Sequence, residues 1–153
     1  MRIEITEPRT DEEFEQYYRL RYERLRKEHG LPEGSERDHP AEPASNHLIA
    51  KLDGRIVGAA CWAVGMTERD GARELYVRFR QLAVEREFDE RGIGIALTRR
   101  VEQHAREIGA KEIIGNARAE RVPYFESLGY VVRGEGETLF GVVEHVSMGK
   151  VLS

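Results

Sequence analysis

Residues 88–100, FDERGIGIALTRR, set two glycines, Gly92 and Gly94, between an apolar strand-like run and an amphipathic helical pattern. Glycine raises the entropy cost of ordering a turn where a helix must nucleate, so a compensating gain is expected. The gain this spacing offers is access. The N–H groups of Arg91, Gly92, Ile93, Gly94, Ile95 and Ala96 stand at the positive end of a helix dipole, where glycine leaves room for an anion. Arg91 adds a charge-assisted contact, and Arg99 or Arg100 can add another from the polar face. A dinucleotide fingerprint is excluded because Leu97 stands where the third glycine belongs. A nucleotide-hydrolase phosphate loop is excluded because no Gly-Lys-Ser/Thr follows. The glycines alone leave two readings open: a short phosphate cradle, or a tight strand-to-helix turn with no ligand.

Other chemistry-bearing residues are scattered. His145, in the last predicted strand, is an acid/base candidate, with a structural histidine bonded to a backbone carbonyl as the alternative. His47 opens an earlier strand and has the same two readings. His29, His39 and His104 need only solvated or packing roles. Cys61 is the single cysteine, so no intrachain disulfide can form, and beside Trp62 in a strand it reads as a small core residue. No His/Cys cluster has metal-ligand spacing, so no metal is expected.

These residues need a scaffold. RIEIT alternates like a short strand, and Thr10 or Asp11 caps a helix behind it. Phe14, Tyr17, Tyr18, Tyr22 and Leu25 recur at helical spacing and predict a core-facing stripe. The stretch from Leu31 to Asn46, with Pro32, Pro40 and Pro43, predicts a long surface loop facing substrate. Asp53-Gly54 between alternating runs predicts a hairpin. In the next strand Val77 and Phe79 share one parity, while Leu82 and Val84 take the other. That phase change predicts a β-bulge or splay near Arg80 to Leu82. Ile93, Leu97, Val101, Ala105 and Ile108 predict the buried face of the following helix, with Glu102 on the polar face and Gly109 as its cap. A short strand, KEIIGNA, a helix from Pro123 to Gly129 and two strands, YVVRGE and VVEHVSMGKVL, complete the order β-α-β-β-β-α-β-α-β-β. The expected fold is α/β in the α+β sense: a mixed, mostly antiparallel sheet with helices packed on it, forming one domain over residues 1–153.

The totals restrict the function. The chain has 153 residues, 40% hydrophobic and 34% charged, with a net charge of −4. That balance argues against a general nucleic-acid or anionic-membrane binder. The opening segment lacks the apolar core of a signal peptide, and no apolar run is long enough to span a bilayer, so a cytoplasmic protein is expected.

The order and spacing of the motifs resemble the GNAT superfamily, the GCN5-related N-acetyltransferases, over nearly the whole chain. The cofactor motif, Arg/Gln-x-x-Gly-x-Gly/Ala after a strand, corresponds to Asp89–Gly94 behind LAV. A second motif is similar to NARAERVPYFESLGY, and the opening LRYERLRKEHGLPEGSERD and closing EHVSMGKVL look like small single-domain bacterial members. The resemblance implies acetyl-CoA, or another acyl-CoA, bound between two splayed parallel strands, with a homodimer as the frequent oligomer. The pyrophosphate would rest on the amides of Arg91 to Ala96, and the pantetheine arm would pair with the backbone of Leu82, Ala83 and Val84. Asn116 would line the opposite wall, with Tyr124 and Phe125 near the thioester. The acceptor would be a primary amine of a small molecule or peptide, attacking directly in a ternary complex. The Leu82 N–H would be the oxyanion donor.

Two residues depart from the family pattern. Asp89 stands where Arg or Gln is usual, putting a negative charge beside the anion site. Phe125 stands where many relatives carry the tyrosine that protonates the thiolate; Tyr124 beside it substitutes if the local turn differs, and otherwise water or another residue does, with His145 the best remaining acid/base candidate. Phe125 also supports a rival reading, a non-catalytic acyl-CoA-binding or regulatory module.

Overall fold

Pro8 ends the first apolar run, and Thr10 followed by Asp11, Glu12 and Glu13 is a helix start. The computed structural model describes residues 2–139 and 143–152, with backbone alone at 137–139, 143 and 144. In it, Thr10 Oγ1 accepts the N–H of Glu13 at 3.1 Å, and Glu13 Oε1 accepts the N–H of Arg9 at 2.9 Å. Helix α1 then runs over Asp11–Leu25.

The element order is the expected one: β1 (Ile3–Thr6), α1, β2 (Asn46–Leu52), β3 (Arg55–Arg69), β4 (Ala72–Val84), α2 (Ile93–Glu107), β5 (Glu112–Arg118), α3 (Val122–Ser127), β6 (Val131–Leu139) and β7 (Val143–Val151). Val142, where the last strand was expected to begin, lies outside the described residues. The strands form one seven-stranded mixed sheet in the order β1-β2-β3-β4-β5-β7-β6. β4 and β5 are parallel, as their connection through α2 requires, and β5, β7 and β6 pair antiparallel. Short 3-10 turns at Ser35–Arg37 and Glu42–Ala44 occupy the proline-rich loop.

The chain's contacts gather into two units. The first holds Met1–Ala63 and Gln81–Val101, the second Val64–Arg80 and Glu102–Ser153. In the first unit, Tyr17 and Leu20 of α1 pack with Ile49, Ile56, Ala59 and Ala83, and Phe14, Tyr18 and Leu25 rest against them half-buried. Ile93 and Leu97 of α2 press onto Gly58 so closely that a Cβ there would come within 2.8 Å of Ile93 Cγ2. Burying each such side chain contributes about 1.5–3 kcal/mol, so this seam fixes where α2 begins.

In the second unit one expectation about α2 needs correcting. Glu102 is not on the solvent face; it is 1% exposed. Its Oε2 accepts the Tyr130 hydroxyl at 2.9 Å and the Lys150 ammonium at 3.1 Å, and Lys150 also donates to the Leu128 carbonyl at 3.0 Å. A buried carboxylate is tolerable when its lone pairs and charge are met in this way. Ile108, expected on the buried face, is exposed because α2 stops at Glu107 and Gly109 turns the chain with φ +80°.

Candidate active site

The glycine corner belongs to the first unit. After a 3-10 turn at Arg86–Phe88, the backbone turns left-handed at Glu90 (φ +64°) and again at Gly92 (φ +81°). A side chain at Gly92 would be strained by its backbone angle, although a Cβ there meets nothing within 4 Å. Arg91 and Gly92 are exposed and Gly94 half-buried, so the corner is open to solvent among the described residues. The Ala96 N–H donates to Gly92 O at 3.0 Å, which commits that amide to the helix. The amides before it belong to the turn whose donors have no intrahelical acceptor. The expected span of available donors therefore shortens by Ala96. The negative charge of Asp89 is met within the same unit by Arg24, whose Nη2 lies 3.3 Å from Asp89 Oδ2 and whose Nε donates to Val84 O at 2.8 Å.

Upstream in β4 the backbone is irregular where a bulge or splay was expected. Gln81 has φ +59°, a left-handed angle that costs a non-glycine residue about 1–2 kcal/mol. A left-handed residue inside a strand breaks the alternation of amide and side-chain directions around it. Ala83 is buried, and Leu82 and Val84 are half-buried.

The other expected site residues belong to the second unit. The parallel ladder of β4 with β5 runs from Tyr76↔Glu112 to Arg78↔Ile114. Beyond it a cavity of about 30 Å³ lies against Phe79, residues 113–117 of β5, Phe125, Tyr130 and Met148. Successive side chains of a strand point to opposite faces, so five consecutive lining residues place the cavity along the backbone edge of β5. At Gly115 a Cβ would come within 2.8 Å of the Phe79 carbonyl oxygen, so only glycine fits where β4 approaches this edge. Asn116 and His145 lie on one face of the β5–β7 ladder, in the register Asn116↔Ser147 and Arg118↔His145. In α3 the Tyr124 and Phe125 rings meet edge-on at 5.0 Å, and Phe125 meets Tyr130 at 5.9 Å. The Tyr130 hydroxyl is committed to Glu102 and supplies no proton to a site.

One cluster was not legible in advance. Arg21 is fully buried, its guanidinium forked onto Glu42 at 2.8 and 3.0 Å and also bonded to the Glu36 carbonyl. It donates to the Tyr17 hydroxyl at 3.2 Å, and that oxygen lies 2.7 Å from His47 Nδ1 and 3.2 Å from Ala60 O. Burial pushes the Tyr17 phenol well above its ordinary range, with the Arg21 charge pulling the other way. For Arg21 burial is the largest single effect and works against the charge, but the bond to Glu42 together with the electrostatic pull of Tyr17, Cys61 and Glu42 outweighs it, so the guanidinium stays charged. His47 is therefore held among Phe14, Tyr17 and Tyr18, with ring centroids at 6.0, 5.1 and 6.0 Å. Arginine and glutamate twenty-one positions apart carry no local signal of such a pair.

The sheet order, the parallel β4–β5 pair and the open helix corner define an acetyltransferase architecture. The family model "Acetyltransferase (GNAT) domain" matches residues 10–152, and the chain belongs to that family. The "Uncharacterized N-acetyltransferase YjcF" of Bacillus subtilis (strain 168) is 28% identical over 142 residues, 93% of this chain and 95% of that protein. Among solved structures, an aminoglycoside 6'-N-acetyltransferase complexed with coenzyme A superposes with a TM-score of 0.73 at 15% identity, covering 99% of this chain and 97% of that one. An acyl-CoA N-acyltransferase from Pseudomonas aeruginosa gives 0.72 at 19% identity, covering 97% and 98%. At these identities the solved structures speak to the fold. The chain is a GNAT-type N-acetyltransferase domain, of a family that uses acetyl-CoA and amine acceptors. Among the described residues no helix is long and apolar enough to cross a membrane.

Proposed function

We propose that this protein transfers an acetyl group from acetyl-CoA to a primary amine of a small molecule or peptide, by direct attack in a ternary complex. The observation that carries the reading is the open Gly92 corner, with a left-handed backbone and helix-terminal amides ahead of Ala96. The CoA pyrophosphate rests on the amides of Arg91, Gly92, Ile93, Gly94 and Ile95, with Arg91 as its charged partner and Ala96 contributing through van der Waals contact. The pantetheine pairs with the backbone of Leu82, Ala83 and Val84. Asn116, Tyr124 and Phe125 serve the thioester end.

The chemistry is balanced simply. An amine with a pKa of about 10.4 is mostly protonated at neutral pH and first loses a proton to a base, for which His145 is the candidate. The neutral nitrogen attacks the thioester carbon, a C–N bond forms, and the Leu82 N–H stabilises the oxyanion. The C–S bond then breaks, the departing thiolate takes a proton from Tyr124 or from water, and the acylated nitrogen gives up its second proton to restore that donor. Gln81's left-handed angle supports the Leu82 assignment, because it frees amides there from the regular ladder direction.

The test is Gly94→Glu, which puts a side chain and a negative charge into the cradle. Calorimetry should find acetyl-CoA affinity weakened by on the order of tenfold or more, about 1.4 kcal/mol, with the circular dichroism of the fold retained. Unchanged affinity would overturn the cradle. Thiol release across a panel of amines tests the transfer itself; tight CoA binding with no turnover on any acceptor would favour the non-catalytic reading.

A further inference from the structure

In the second unit the helices take one face of the sheet and leave the other. Lys150 bonds Glu102 of α2, and the Phe125 ring of α3 meets Tyr130, which bonds the same carboxylate. Residues paired across a ladder point the same way, so Val77, Ile113 and Lys150 turn toward the helices. Arg78, Ile114, Asn116, Ser147 and His145 turn the other way. The acidic residues that β4 and β5 place on this second face are answered: Glu112 Oε2 lies 2.8 Å from Arg133 Nη1, and Glu74 Oε2 lies 3.8 Å from Arg69 Nε. Arg78 is different. It is half-buried and, among the described residues, forms no hydrogen bond or ion pair. The side chains of Asn116 and Ser147 form none there either. A guanidinium drawn partly out of water with no acceptor is costly, so the face has an unmet demand for an anion. Strands lie about 4.8 Å apart and rise about 3.3 Å per residue, which puts the Cα atoms of Arg78 and Asn116 roughly 8 Å apart. Side chains of this reach converge on one small group above Ile114.

We infer that Arg78 is a specificity residue for the acceptor: the amine substrate carries a carboxylate, which the Arg78 fork binds with Asn116 and Ser147 as neutral donors. The inference rests on the proposed function, under which Asn116 stands at the thioester end and His145 takes the proton of the amine. His145 lies two positions along β7 from Ser147 on the same face, so a molecule held at Arg78 and passing Asn116 presents its amine toward His145. The planar guanidinium matches the paired oxygens of a carboxylate, and such charge-assisted bonds are roughly twice as strong as neutral ones. A phosphate would bring up to about two negative charges to the single Arg78 guanidinium, so the carboxylate is the better match. The transfer step is the one already described; Arg78 acts on which amine reaches it.

Matched acceptors test this: the α-amino acids, β-alanine and 4-aminobutyrate, each beside its carboxamide, and 3-aminopropylphosphonate beside 4-aminobutyrate. Thiol release gives kcat/KM for each. The parent should favour the acids over their carboxamides by about tenfold or more. Arg78→Gln should erase that preference, while carboxamide rates and acetyl-CoA affinity stay at parent values. Arg78→Lys, which keeps the charge and loses the fork, should keep part of it. If Arg78→Gln fails to fold, Arg78→Lys and Ser147→Ala carry the test, since each should narrow the preference. If acetyl-CoA does not bind, or no amine is acetylated, the proposed function falls and takes this inference with it. If amines are acetylated and the acids have no advantage, or keep it undiminished in the variants, the Arg78 assignment alone is wrong. A phosphonate preferred over its matched carboxylate would overturn the choice of carboxylate.

Discussion

Protonation of the thiolate and deprotonation of the amine rest on very few side chains. Phe125 has no proton to give, and of the two phenols in ring contact with it, Tyr124 and Tyr130, the second is bound to Glu102. Tyr124, half-buried in α3, and His145, half-buried in β7, are left to carry proton traffic in the proposed reaction. Tyr124→Phe and His145→Ala should therefore each lower turnover far more than CoA affinity. For a general base the usual loss is about a hundredfold or more. A base must be neutral to act, so the parent rate should rise with pH as the base loses its proton, and His145→Ala should lose that limb. Steady-state rates across pH, set beside calorimetric affinities, make the check. An unchanged pH profile removes His145. Asp89 is the other unusual residue, and the Arg24 contact at 3.3 Å answers the electrostatic objection it raised.

At the scale of elements, the proline-rich loop is anchored to α1 by the buried Arg21–Glu42 fork, and stability should reflect it. Removing one partner strands a buried charge, at a cost of about 3–5 kcal/mol, whereas removing both leaves a smaller penalty. Glu42→Gln should accordingly destabilise by about 3 kcal/mol, and Arg21→Met/Glu42→Leu should lie closer to the parent than the single change. Urea midpoints with constant slopes test this; additive losses would show that the pair is not coupled. The sequence could not announce this fork, because its members lie far apart and each reads singly as a solvated charge. Glu102 was misplaced for the same reason, since Tyr130 and Lys150 are twenty-eight and forty-eight positions away. What was legible rested on local periodicity: the Thr10 cap, the buried row Ile93, Leu97, Val101 and Ala105, and the parity change that marks Gln81. Of the candidate site, the corner's backbone was legible through its glycines. The cavity was not, because it depends on where the β4–β5 ladder ends and on which rings then meet.

For the molecule as a whole, the division into two units meets a constraint from chain connectivity. β3 passes from one unit to the other between Ala63 and Val64, β4 between Arg80 and Gln81, and α2 between Val101 and Glu102. Melting either unit alone would break two strands and a helix in mid-length. Such shared elements favour one cooperative transition over two. The passage through β4 falls at the left-handed Gln81, so that residue marks a change of unit as well as a break in the regular strand. Trp62, the only tryptophan, reports on the first unit through its fluorescence, whereas far-UV circular dichroism reports on both. Glu42→Gln lies in the first unit, and at about 3 kcal/mol it should lower the thermal midpoint by roughly 10 °C. Both probes should shift together and remain coincident. If the fluorescence midpoint fell while part of the dichroism signal still melted at the parent temperature, the units would be unfolding separately, and the shared elements would not couple them.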